Sequence, residues 1–252
     1  MTVIGILECG RNKSEWIKDH GGFADWFPPL LQPIDPALRF AVWRADLGEL
    51  PDSPDACDAW LLTGSPVSTY QNLPWQHALT DFVIGARHRR PIVGICYGHQ
   101  HLHAALGGQV EKAPEWGAGI RSYDVAQQPA WVSDDPAVQP AGQLRLVALH
   151  QDHVTQPAPC TQVLASSPGC PFAVTQIGDD VLTFQPHPEM APAQAAKIYD
   201  LHRNDMGDAL WARARTSLDG PRDHGLAARW IVDFVKSRPD ADGRATGAGD
   251  RA

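Results

Sequence analysis

The sequence predicts an α/β protein, a three-layer sandwich on a mostly parallel central sheet with a small antiparallel extension. Three observations carry that expectation. Short, wholly apolar runs recur at Val3–Leu7, Ala59–Leu62 and Ile92–Ile95, as strands buried on both faces do. A segment with helical spacing separates the last two, with Leu79, Phe82, Val83 and Ala86 on one side. Beyond Gly107-Gly108 the style changes to short strands divided by turns, which suits antiparallel pairing.

Taken in order, Val3–Leu7 reads as the first strand, and Ser14 offers an N-cap for a segment broken at Gly21-Gly22. Residues 38–43 and Ala59–Leu62 follow as strands, the second ending at Thr63-Gly64-Ser65-Pro66. Residues 75–87 are the helix, and Ile92–Ile95 is the next strand. Residues 145–149, 162–165, 172–176 and Val181–Phe184 read as strands, with Gly178-Asp179-Asp180 as a hairpin connection. Helix is expected from Ala191 onward and most clearly over 227–235. Residues 1–236 are expected to form one domain. Residues 237–252 lack any apolar period and are expected to be disordered.

Composition narrows the class. At 252 residues the chain can bury a large core without staples. The net charge of −8 argues against a nucleic-acid or anionic-membrane surface. Five cysteines without a C-x-x-C pair suit a reducing, cytoplasmic setting better than a disulfide framework. The apolar run at the N-terminus is too short for a signal peptide, and no stretch reaches the ~20 apolar residues of a membrane span.

The chemistry centres on Gly94-Ile95-Cys96-Tyr97-Gly98. A strand, a sharp turn and a helix-like segment at 101–106 reproduce the layout of a nucleophile elbow, with sulfur where many hydrolases carry a serine oxygen. Flanking glycines allow the tight turn. The helix N-terminus beneath it favours an anionic sulfur. The alternative is an inert, buried cysteine at a strand end. Far downstream, Pro186-His187-Pro188-Glu189 follows a strand. Proline after His187 holds that residue extended, so the side chains of His187 and Glu189 can share one face. A carboxylate there can accept the imidazole Nδ1–H and leave Nε2 to exchange a proton with sulfur. Cys96, His187 and Glu189 thus form a candidate nucleophile, base and orienter.

The turn L-L-T-G-S-P, the elbow G-I-C-Y-G-H-Q and the strand end Q-P-H-P-E, in that order along the chain, resemble class I, triad-type glutamine amidotransferases. The likeness runs from about residue 3 to residue 235, and Leu149-His150-Gln151-Asp152-His153-Val154 is similar to a stretch of the GMP synthase type. γ-Glutamyl peptidases are similar too. The resemblance implies a flavodoxin-like fold, an oxyanion hole from the backbone N–H groups of Gly64 and Tyr97, and substrate contacts from Gln100, His150 and Asp152. No cofactor and no metal are expected. Three readings stay open. The first is an amidotransferase or glutaminase, acting on glutamine through a thioester and lending ammonia to a separate accepting enzyme. The second is a γ-glutamyl peptidase. The third is a non-catalytic redox sensor on the same superfold. Cys9 could line the pocket, while Cys57, Cys160 and Cys170 read as packing. His99 and His101 diverge around a helix and cannot share a ligand face.

Overall fold

The computed structural model describes residues 1–11, 19–126, 128–132 and 142–237. The Ser14 cap and nearly all of the expected disordered tail lie outside these residues. Nine strands form one mixed sheet: β1 (Val3–Leu7), β2 (Arg39–Trp43), β3 (Ala59–Leu62), β4 (Ile92–Ile95), β5 (Gln109–Val125), β6 (Gln143–Gln156), β7 (Thr161–Ser167), β8 (Cys170–Ile177) and β9 (Val181–Phe184). Their spatial order is β2-β1-β3-β4-β9-β8-β7-β5-β6. Pairing is parallel from β2 to β9 and antiparallel from β9 through β8 and β7 to β5 and β6. The antiparallel extension is therefore larger than the sequence led us to expect, because β5 and β6 are long.

Strand alternation splits the parallel half into two cores. On β3, Ala59 and Leu61 face one apolar cluster while Trp60 and Leu62 face another. On β4, Val93 and Ile95 take the first side and Ile92 the second. Successive strand residues point to opposite faces, so a run apolar at every position needs cover on both. The helices supply that cover. α1 (Phe27–Leu31) and the C-terminal α7 (His224–Lys236) close one face through Phe27, Leu31, Trp230, Ile231 and Phe234. α2 (Pro74–Ala86) and α3 (Tyr97–Ala105) close the other through Leu79, Val83, Tyr97 and Leu102. A buried Phe or Leu contributes roughly 1.5–3 kcal/mol, so these faces dominate the stability of the sandwich.

A third apolar cluster lies under α4 (Pro192–Leu201), α5 (Arg203–Met206) and α6 (Asp208–Ser217), where Ile198, Tyr199, Ala214 and Leu218 pack with Ala118 of β5 and Val147 of β6. The Tyr199 hydroxyl donates to Ala148 O at 2.6 Å and accepts from Gly119 N at 2.8 Å. That bridge seats the helical segment on the antiparallel half of the sheet. No helix among the described residues is long and apolar enough to cross a membrane.

Candidate active site

β4 and β9 run parallel with Ile95 beside Phe184, so the segments leaving their carboxyl ends start side by side. Such ends are where open α/β sheets place their sites. Cys96 leaves β4 with φ 51° and ψ −100°, a conformation disfavoured for a residue with a side chain. Its N–H donates to Phe184 O at 2.7 Å, so the strained residue is held by the neighbouring strand. The glycines on either side are sterically required. A Cβ on Gly94 would stand 2.5 Å from Leu102 Cδ1, and one on Gly98 would stand 2.5 Å from Leu62 O. α3 can therefore pack directly onto β3 and β4, with Cys96 at its N-terminus.

The chain after β9 turns away from β8 and pairs with β6: His187 N donates to Val147 O at 2.8 Å. This tie fixes His187 between the two halves of the sheet. Its Nδ1 lies 2.7 Å from Glu189 Oε1, the same-face relation expected of two residues separated by one in an extended backbone. Nε2 is buried without a hydrogen-bond partner. Burial alone would lower the His187 pKa, but the Glu189 carboxylate and the Cys96 sulfur outweigh it and hold the imidazole well above its usual 6.5. Gly64 sits against both groups: a Cβ there would stand 3.3 Å from His187 Cε1 and 3.9 Å from Cys96 Cβ.

The turn carrying Gly64 is fastened at several points. Thr63 Oγ1 accepts from Cys9 N at 3.0 Å and donates to Gly64 O at 2.9 Å. Ser65 Oγ donates to Cys9 O at 2.7 Å, and Gly98 N donates to Thr63 O at 3.1 Å. Tyr97 occupies the first position of α3, where a backbone N–H has no carbonyl of its own helix to bond. Its side chain points into the core, with the hydroxyl accepting from Gln76 Nε2 at 3.0 Å.

Gly64, Cys96, Gln100, His150, Asp152, His187 and Glu189 all line one cavity of about 250 Å3. Gln100 is already committed: its Nε2 donates to Asp152 O at 2.8 Å and to Gln185 Oε1 at 3.1 Å. The carbonyl partner fixes which end of the amide is nitrogen, so only Oε1 remains to meet a ligand. His150 and Asp152 lie within β6, beyond the strand expected at 145–149. The His150 ring covers Gly117 of β5, where a Cβ would come within 2.5 Å of Nε2, and burial with nearby His153 and His187 keeps it neutral. Asp152 pairs in register with Lys112 and accepts from the Tyr70 hydroxyl at 2.8 Å.

Cys9 is a correction: it is fully buried, its thiol donates to Leu7 O at 3.3 Å, and it belongs to the second core. Burial pushes that thiol far up in pKa. Cys160 is exposed rather than packed. The sequence reading missed Tyr70, Trp116, Met190 and His202, which also line the cavity. Only Trp116 carried a signal, as a tryptophan amid the polar and small residues 112–120.

A cysteine on a strand–turn–helix bend beside a buried histidine–carboxylate pair, at the carboxyl ends of parallel strands, is a geometry that can support acyl transfer. The chain belongs to the class-I glutamine amidotransferase family, whose sequence profile matches residues 39–200. It is 28% identical to gamma-glutamyl peptidase 3 of Arabidopsis thaliana over 236 residues, covering 88% of this chain and 92% of that protein. It is 34% identical to the glutamine-hydrolyzing GMP synthase of Aromatoleum aromaticum over 136 residues, or 52% of this chain but only 25% of that protein. Among solved structures, a glutamine amidotransferase from Methylobacillus flagellatus superposes with a TM-score of 0.64 at 20% identity, covering 92% of this chain and 94% of that one. Another from Thermotoga maritima gives 0.67 at 16% identity, covering 92% and 97%. At such identities these two speak for the fold.

Proposed function

We propose that the chain hydrolyses a γ-glutamyl amide bond through a thioester on Cys96. The observation carrying this is the strained Cys96 beside an imidazole whose Nδ1 is held by Glu189 and whose Nε2 is otherwise unpartnered. The sulfur attacks the γ-carbonyl carbon and forms a C–S bond, while negative charge moves onto the carbonyl oxygen. The N–H groups of Gly64 and Tyr97 meet that charge, a contribution typically worth several kcal/mol in such enzymes. His187 then gives a proton to the nitrogen as the C–N bond breaks. In the second half His187 takes a proton from water, which attacks the thioester, and glutamate leaves as the C–S bond breaks. Glu189 fixes the ring tautomer throughout.

Within this class a γ-glutamyl peptidase is favoured over an ammonia donor. The match to a γ-glutamyl peptidase spans nearly that whole protein, whereas the match to GMP synthase stops at a quarter of it. The test assays purified protein for glutamate release from glutamine, glutathione and γ-glutamyl dipeptides. A peptidase cleaves the peptides unaided. Turnover of glutamine alone, and only with an added ammonia-accepting enzyme, would instead establish amidotransfer.

A further inference from the structure

The cavity lining falls into two chemically distinct patches. One is polar and knit together: Lys112 and Asp152 face each other in strand register, Tyr70 donates to the Asp152 carboxylate, and Gln100 donates to its backbone oxygen. The other is apolar. Phe23, Trp116, Met190 and Ile198 line the cavity and pack together in the third apolar cluster. His202 adds a ring at 5.0 Å from that of Trp116, tilted by 38°.

A γ-glutamyl group ends in an ammonium and a carboxylate, and both need polar or charged partners because leaving either unmatched is costly. Lys112 and Asp152 supply one charge of each sign. With the glutamyl head on that patch, the tryptophan-lined patch is left for whatever follows the scissile nitrogen. Ammonia would cover none of it, whereas an apolar group there would remove that surface from water, which is favourable.

We propose that Trp116, with His202, forms a leaving-group subsite and selects γ-glutamyl conjugates of aromatic or bulky apolar amines and amino acids. This rests on the γ-glutamyl hydrolysis reading above. The experiment measures kcat/KM for γ-Glu-Phe, γ-Glu-Leu, γ-Glu-Gly and glutamine with the intact protein and with Trp116→Ala, Trp116→Phe and His202→Ala.

The wild type should prefer γ-Glu-Phe over γ-Glu-Gly by about tenfold to a hundredfold, the range that apolar pocket contacts achieve. Trp116→Ala should cut that ratio by about tenfold or more, while Trp116→Phe should keep it within roughly threefold. Should Trp116→Ala fail to fold, His202→Ala, on a half-exposed side chain, reads the same ratio. A wild-type preference for γ-Glu-Gly or glutamine overturns the subsite, as does an equal loss on every substrate in the variants. Cleavage of none of the four by the wild type would sink the γ-glutamyl reading itself, a distinct outcome.

Discussion

His187 and the three histidines of α3 are all buried, yet their surroundings shift their pKa values in opposite directions. His99 Nδ1 lies 2.8 Å from Thr183 Oγ1, which lies 2.6 Å from Thr175 Oγ1, which lies 3.0 Å from His103 Nε2. Ala158 N donates to His103 Nδ1 at 3.1 Å, so that nitrogen is an acceptor and the ring must be neutral. His101 is bracketed by the hydroxyls of Tyr97 and Thr80, each 3.2 Å away. Burial brings His101 and His103 down to about 4 and His99 well below 6.5. His187 instead has Glu189 and the Cys96 sulfur as neighbours and goes up. Depth alone does not set the direction of a buried histidine's pKa shift; a carboxylate on one ring nitrogen and a sulfur near the ring reverse it here.

The contrast can be broken most forcefully at the sulfur. Cys96→Ala should drop glutamate release to below about one part in 10^4 of wild type while leaving the circular dichroism spectrum and melting temperature near wild type. Substantial residual turnover would remove Cys96 from the chemistry. Next in size, Glu189→Gln should lower kcat about a hundredfold, within the usual span for acid–base assistance. It should also bring the NMR titration of His187 down toward the α3 histidines. The sign for stability follows from the raised folded pKa. The His187 contribution is complete below about 6.5 and is lost as pH rises through the raised value, and Glu189→Gln should abolish that alkaline loss. An unchanged His187 titration in the variant would show that Glu189 does not set the charge.

A smaller effect is expected at Gly64→Ala, whose Cβ would crowd the His187 ring at 3.3 Å. We expect kcat to fall about tenfold with KM little changed, since a slight misplacement of catalytic groups is costly; equal shifts in both would point to substrate binding instead. The smallest effect on activity belongs to the α3 histidines. His103→Gln should keep kcat within roughly threefold of wild type. Because these folded pKa values are depressed, the stability they confer is present above about 6.5 and is lost as pH falls toward 4. The slope is on the order of 1.4 kcal/mol per pH unit for each histidine. A urea midpoint identical at pH 6.5 and 4.5 would contradict the assignment.

How much of this was legible depends on where the information sits along the chain. Val3–Leu7, Ala59–Leu62 and Ile92–Ile95 were readable to the residue, because strands covered on both faces are apolar at every position. The elbow was readable because its two glycines are imposed by contacts within one strand–turn–helix unit and with the next strand. β5 was not. Its residues 109–117 are mostly exposed, it contains Pro114, and its register with β6 breaks between Lys112 and Gly117. Its strand character comes from pairing with β6, a partner distant in sequence. The same reason hid β6 beyond Leu149 and the part of the cavity wall that Trp116 of β5 makes. Among the expected substrate contacts, Gln100 shows the limit of spacing. It lies one turn after Cys96 as expected, yet both its N–H groups are taken by residues remote in the chain.

The most direct measurement is mass spectrometry of protein quenched in acid during turnover of a γ-glutamyl dipeptide, followed by peptide mapping. The peptide carrying Cys96 should gain the mass of one γ-glutamyl group, and this gain should be absent in Cys96→Ala. The same adduct on Cys57, Cys160 or Cys170, or wild-type turnover by Cys96→Ala, would contradict it.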